Sequence, residues 1–349
     1  MRKRHSGLIA ASLCLIVIGL ALGILAIALS GGNFRFLDDS KEEFPKEYEI
    51  KENYSSIYIQ GYAGNIIIKP SADGVTRVEC FDKEKVSHTV SVEGETLSVK
   101  VKDERRWYDR ISLFSFWDSN GITLFLPKGE YNSIEVSSST ADITLQSGFS
   151  FANGSFASST GDMIIFGAFS GDFTALTDTG DINLSGVSAA AVTVTANTGD
   201  ITLDEVKSAG CLNITTDTGE IYSAESSAVT ARFKSDTGDM DIKFCEFNYA
   251  EIESNTADIL LAQSTATKSI DIKTSTGDIE FRSFDAGEIT VKTSTGDVEG
   301  NIRTDKKFTV NTSTGKVRVP SDKGDAPCSI TTSTGDINII ISETDDGRW

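Results

Sequence analysis

Histidine is almost missing from this sequence: 349 residues hold 2, His5 and His88. That is too few for a histidine-rich metal cluster, and no Ser-His-Asp set can be assembled around them. Proline is scarce as well, with 5 residues, so the chain is not a proline-rich stalk. Positive charge is in short supply: 32 Lys and Arg stand against 51 Asp and Glu, a formal net charge of −19. Arg2, Lys3 and Arg4 cluster at the start, and setting those three aside takes −19 to −22. Such a chain repels a phosphate backbone, which excludes nucleic acid as a partner. It would not lie flat on anionic lipid either. CxxC pairs and a glycine-rich phosphate loop are both lacking.

One long apolar run is present. Leu8 to Leu29 contains no charged residue, and as a helix rising about 1.5 Å per residue it spans roughly 33 Å, enough for a bilayer core. Arg2-Lys3-Arg4 before it place residues 1–7 in the cytoplasm and everything after residue 30 outside. A cleaved signal peptide is the alternative, since Ala28 and Ser30 are small and precede Gly31. The run is longer than a signal core, about 7–15 residues, so an uncleaved anchor over 8–29 is the preferred reading. Residues 30–47 are polar and read as a tether.

The remainder is dominated by a repeat. The tetrad Ser-Thr-Ala-Asp begins at Ser139, and its relatives begin at Ser159, Asp178, Asn197, Asp217, Asp236, Asn255, Ser275, Ser294, Ser313 and Ser333. The Gly or Ala of each tetrad recurs every 19 or 20 residues through all eleven copies. Count that residue as zero. Position −1 is always Thr, −3 is Ser, Thr or Ala, and +2 is Ile, Met or Val. Position −5 is apolar (Val136, Phe156, Ala175, Val194 and so on) between polar neighbours at −6 and −4. This period of two predicts a half-buried strand on each side, with the tetrad as the corner between them. Two such strands cannot bury their apolar faces alone, so coil must stack on coil in parallel register. At about 4.8 Å per coil the eleven make a rod roughly 50 Å long. The predicted fold is all-β: a parallel β-solenoid of about eleven regular 19–20-residue coils over 131–341. Irregular N-terminal coils over 48–130 cap it, one transmembrane helix precedes it, and a short tail over 342–349 ends it. A leucine-rich repeat lacks support, as its Leu-x-x-Leu-x-Leu frame is absent. The one-residue variation in period is assigned to the corner opposite the tetrad.

Position +1 is acidic in ten copies, from Asp142 to Asp336, with Lys316 the exception. Carboxylates stacked at coil spacing invite either calcium or a structural role at the turn. The Gly-Gly-x-Gly-x-Asp nonapeptide of calcium-binding solenoids is missing, so the column reads as a structural turn and no cofactor is expected. The Thr at −1 reads as a ladder of hydroxyls, and the Asp, Asn or Ser at −2 as a partner for the turn backbone. Cys80, Cys211, Cys245 and Cys328 fall at different coil positions, which predicts free, mostly buried thiols. One segment departs from the polar habit: Arg105, Arg106, Trp107, Tyr108, Arg110, Phe114, Phe116 and Trp117. Aromatic and arginine side chains together are what interfaces use, so this is the candidate interaction loop, with folding over the end of the stack as its alternative role.

The anchor, the early Ala63-Gly64-Asn65-Ile66 element, Leu126-Pro127-Lys128-Gly129 and the Ser/Asp-Thr-Gly-Asp-Ile coils together resemble the bacterial putative-adhesin family of β-strand-repeat proteins, a membrane-anchored domain of unknown function. The resemblance covers residues 48–341. It implies a cell-envelope protein, often tied to envelope-stress systems, and brings no catalytic residues. The expectation is therefore a non-enzymatic, membrane-anchored, extracytoplasmic solenoid that binds a protein or an envelope component. A carbohydrate-active β-helix enzyme is the first alternative, to be separated by whether the +1 acids line an open groove or a flat rib. An envelope-stress sensor acting through membrane-protein partners is the second. Ligand, handedness and oligomeric state stay open.

Overall fold

The computed structural model describes residues 44–82, 85–104, 121–321 and 323–342. The expected anchor over 8–29 and the loop residues Arg105 to Trp117 lie outside these. Among the described residues no helix is long and apolar enough to cross a membrane, and regular structure is all β.

The Gly199 coil shows how a repeat builds its turn. Strand Ala191–Thr198 turns Val192, Val194 and Ala196 inward and Thr193 and Thr195 outward. The corner follows, and Ile201–Asp204 then turns Ile201 and Leu203 inward. Strands before the corner join one sheet, sheet I, and strands after it join a second, sheet II. Register is parallel and like lies on like: Ala175, Val194 and Ile214 form one row, and Ile182, Ile201 and Ile221 another. The core is the space between the sheets, and these side chains are at most 1% exposed. Burying a β-branched or leucine side chain contributes about 1.5–3 kcal/mol, so each coil is held by the row it shares with its neighbours. The parallel solenoid expected from the period is thus the fold.

Stack order departs from chain order at both ends. The early strands are β1 (Phe44–Ile50), β2 (Ser56–Gln60), β3 (Ile66–Pro70), β4 (Thr76–Asp82), β5 (Val86–Glu93), β6 (Thr96–Asp103) and β7 (Ile122–Leu126). The β2–β3 coil lies inside, between the β6–β7 coil and the Ala141 coil. Beyond β7 sheet II continues through β4 and then β1, both antiparallel. Sheet I ends on β5, antiparallel to β6. These antiparallel strands, rather than further coils, finish the N-terminal end. β1 begins at Phe44, inside the stretch whose composition suggested a tether.

At the far end Pro327–Thr334 and Ile337–Ile341, the Gly335 coil, insert between the Gly296 coil and the Gly315 coil (Lys307–Thr314, Val317–Arg318). The Gly315 coil is therefore outermost. Its +2 residue, Val317, is 44% exposed, whereas Ile201, Ile279 and Ile337 at the same position are fully buried.

The variation in period sits in a different place from that expected. In the copies ending at Gly219 and Gly277 the extra residue is a bulge within sheet I, between Ser208 and Cys211 and between Ala266 and Ser269. The corner opposite the tetrad is the regular one. Six residues after each of five successive corners, Glu205, Glu225, Phe244, Gln263 and Ser283 take φ of 50–56°. A bulge absorbs a residue by bending one strand, whereas a left-handed turn has no slack.

Candidate functional site

The Thr-Gly-Asp corners form one exposed rib along the rod. Glycine is required there by closeness. A Cβ on Gly199 would lie 2.0 Å from the Gly180 carbonyl oxygen, and φ at Gly199 is +147°. Ala141 and Ala257 escape because neither has positive φ, and each methyl is buried.

Each aspartate at +1 reaches along the rod, and Glu220 is the acid that does not. Asp162 Oδ1 accepts the Asp181 backbone N–H at 2.8 Å, Asp181 accepts that of Asp200 at 2.8 Å, and Asp200 accepts that of Glu220 at 2.8 Å. The ladder resumes from Asp239 to Asp258, Asp278 and Asp297. It follows stack order at the end: Asp297 accepts from Asp336, and Asp336 accepts from Lys316, both at 2.7 Å. The structural reading of the column holds, with the acceptor serving the neighbouring coil rather than its own turn. Lys316 now has a reason. It belongs to the outermost coil, where no further N–H waits for a carboxylate.

Hydroxyls at −3 work in the opposite direction. Thr216, Thr332 and Thr312 donate to the carbonyls of Gly199, Gly296 and Gly335 at 3.0–3.2 Å. The Thr at −1, expected to pair through hydroxyls, links coils through its backbone: Gly180 N–H donates to Thr198 and Gly199 N–H to Thr218. At −2, side chains pair across coils, with Asn197 donating to Asp178 and Asn255 to Asp236. The crowding of acids is felt at Glu299, whose carboxyl is raised by partial burial first and then by Glu280, Asp297 and Asp278.

On the opposite corner the left-handed residue is followed by a buried one, and serines there close the backbone. Ser226 Oγ accepts the Val206 N–H at 3.1 Å, and Ser264 Oγ the Cys245 N–H at 3.0 Å. All four cysteines of the described residues are free, and Cys80, Cys245 and Cys328 are buried. Burial pushes the Cys328 thiol up to about 12.

The candidate interaction residues Arg105, Arg106, Trp107, Tyr108, Arg110, Phe114, Phe116 and Trp117 fall outside the described residues, but the strands that bracket them are clear. The chain leaves sheet I at the end of β6 and re-enters sheet II at β7. In the regular coils that step is the Thr-Gly-Asp corner or, in four copies, a variant of it.

A cluster that spacing did not suggest lies on β4 and β5. Cys80 and Asp82 face inward from β4, and His88 faces them from β5. Asp82 Oδ1 accepts both the backbone N–H and the ring Nδ1–H of His88 at 2.9 Å, and Lys46 forms an ion pair with Asp82 Oδ2. Burial acts to raise the Asp82 carboxyl, but the Lys46 and His88 contacts outweigh it and hold the group below its ordinary value. The alternation of β4, with Cys80 and Asp82 two apart on one face, was the available signal. It lacked a third member, because His88 arrives from the other sheet.

The rib, the two-sheet core and the antiparallel end define a β-solenoid scaffold whose repeated polar groups bind its own backbone. The sequence profile of the Toastrack DUF4097 family matches residues 54–227 and, a second time, 212–348, and the chain belongs to that family. Solved structures to which it is similar include a "putative adhesin" of Bacteroides fragilis, at 16% identity over 86% of this chain and 98% of that one, TM-score 0.32. A "putative lipid binding protein" of Parabacteroides distasonis matches at 16% over 86% and 98%, TM-score 0.37. A "putative cell adhesion protein" of Clostridium sporogenes matches at 10% over 85% and 99%, TM-score 0.22. At such TM-scores these likenesses carry no argument about what this chain binds. No curated protein matches the sequence.

Proposed function

We propose that this chain is a non-enzymatic binding protein, anchored in the cell membrane through residues 8–29 with its N-terminus in the cytoplasm. The solenoid then stands outside as a rigid support, and the insertion at 105–117 contacts a protein or another envelope component. One observation carries the reading: carboxylates of the repeated column are engaged with the next coil's N–H along an exposed rib. A glycosidase-like site needs a pair of carboxyls free to exchange protons with substrate, so this use of the acids weighs against the enzyme alternative. What the repeat leaves unexplained is the insertion, whose Trp and Arg residues are the types that dominate binding energies.

The test is photocrosslinking from the insertion in membranes of the native host, comparing the wild-type chain with Trp107→Ser/Trp117→Ser. Discrete adducts that disappear in a still-folded double variant are expected. Adducts of equal yield in both would overturn the assignment of the insertion.

A further inference from the structure

The cap holds three buried side chains of metal-ligand type that converge. Cys80, Asp82 and His88 are 1%, 6% and 5% exposed. A sulfur, a carboxylate oxygen and a ring nitrogen from the three lie within 4.8 Å of one another, and among the described residues no other three Cys, His, Asp or Glu side chains converge so. Two residues arrive from sheet II and one from sheet I, so the group bridges the sheets at their capped end. A structural hydrogen bond would need only Asp82 and His88. It leaves a free thiol beside them, and it leaves His88 Nε2 buried with no hydrogen-bond partner. A neutral imidazole has one donor and one acceptor nitrogen. With Asp82 taking the Nδ1 donor, Nε2 is a buried acceptor that has no hydrogen-bond partner among the described residues, which ordinarily costs about 1–3 kcal/mol.

We propose that Cys80, His88 and Asp82 bind one divalent transition-metal ion of the zinc class, through the Cys80 thiolate, an imidazole nitrogen and a carboxylate oxygen. This donor set is soft enough to prefer zinc-like ions over calcium or magnesium, and three protein donors leave a fourth position to water. Two anionic donors balance a divalent charge. Lys46, which now occupies Asp82 Oδ2, has its side chain 45% exposed and can turn to solvent. Binding would release the Cys80 thiol proton as the thiolate takes up the ion. The ion would tie β4 to β5 at the base of the insertion, since Glu104 N–H, just before it, bonds the Lys85 carbonyl at 2.8 Å.

The experiment uses the full-length chain without a histidine tag, solubilised, stripped with chelator and titrated with Co²⁺ and then Zn²⁺. One equivalent of Co²⁺ should give a thiolate-to-cobalt charge-transfer band that Zn²⁺ bleaches. The band should vanish in Cys80→Ser and persist in Cys211→Ser and Cys245→Ser, and affinity should fall at least about tenfold in His88→Gln. In the unsubstituted chain one equivalent of Zn²⁺ should also raise the thermal midpoint, a readout that no misfolded variant can confuse. A band that survives Cys80→Ser overturns the proposal, as does a wild-type chain with neither a band nor a shifted midpoint.

Discussion

Removing one carboxylate from the rib should open one amide and leave the rest of the rod closed. In Asp200→Ala the Glu220 backbone N–H loses its 2.8 Å acceptor. Hydrogen bonds to a charged group contribute about 1.5–3 kcal/mol when dry. This one is exposed, so water replaces part of it and about 1–1.5 kcal/mol is the reasonable loss. A free energy of 1.4 kcal/mol is about tenfold in a local opening equilibrium. Hydrogen exchange with residue-level readout should therefore show the Glu220 amide exchanging roughly tenfold faster. Asp200→Asn keeps an acceptor oxygen of the same reach and should stay within about threefold of wild type. Lys316→Asp is the control, because it adds an acceptor where no coil follows, and it should leave exchange throughout the rod unchanged. Equal exchange at Glu220 in wild type and Asp200→Ala would refute the capping role of the column. Stronger destabilisation by Asp200→Asn than by Asp200→Ala would point instead to a charge requirement such as an ion.

Stack order can be read by crosslinking: Thr290 is paired with Ser329, about 4.8 Å away, within disulfide reach, while Thr309 lies one coil further at about 9.6 Å. Thr290→Cys/Ser329→Cys should oxidise readily and Thr290→Cys/Thr309→Cys should not; the opposite result on non-reducing gels would restore chain order. Gly199→Ala should destabilise by about 3 kcal/mol or more, given positive φ and a backbone collision, whereas Ala257→Gly should cost about 1 kcal/mol, both read from chemical denaturation. The Asp82 carboxyl has a depressed value in the folded state. Its contribution is thus complete above the unfolded value of about 4 and is lost as pH falls through the folded one. Thermal midpoints between pH 7 and 3 should drop less steeply in Asp82→Asn than in wild type.

The period, the corner and the inward columns were legible because they are dictated by local alternation and by the need to stack like on like. Val194 and Ile201 announce their faces without any knowledge of their neighbours. Stack order was not legible, since each Thr-Gly corner fits any other equally well, and the two clues, Lys316 in an acidic column and Val317 on an unshielded face, mean something only once an outermost coil is known. The left-handed corner was hidden for a different reason. Glu205, Glu225, Phe244, Gln263 and Ser283 share a backbone angle but no chemistry, so the fold imposes the conformation against residue preference. Residues 105–117 were singled out by composition, and they lie outside the described residues. Cys80, Asp82 and His88 escaped because their meeting depends on β4 and β5 belonging to different sheets.

The inserted Gly335 coil bears on how the molecule comes to be made. Lys307–Arg318 leaves the ribosome before Pro327–Ile341, yet it ends up farther out. While the last segment is still missing, the Gly296 coil presents an open edge with the same Thr-Gly corner, and the earlier segment has every group needed to settle on it. Completing the rod then requires that provisional pairing to be given up so that the C-terminal strands can slide into the gap. A slow closing phase confined to residues 289–341 is the outcome to expect of such a rearrangement, and the outermost layer is an internal segment of the chain.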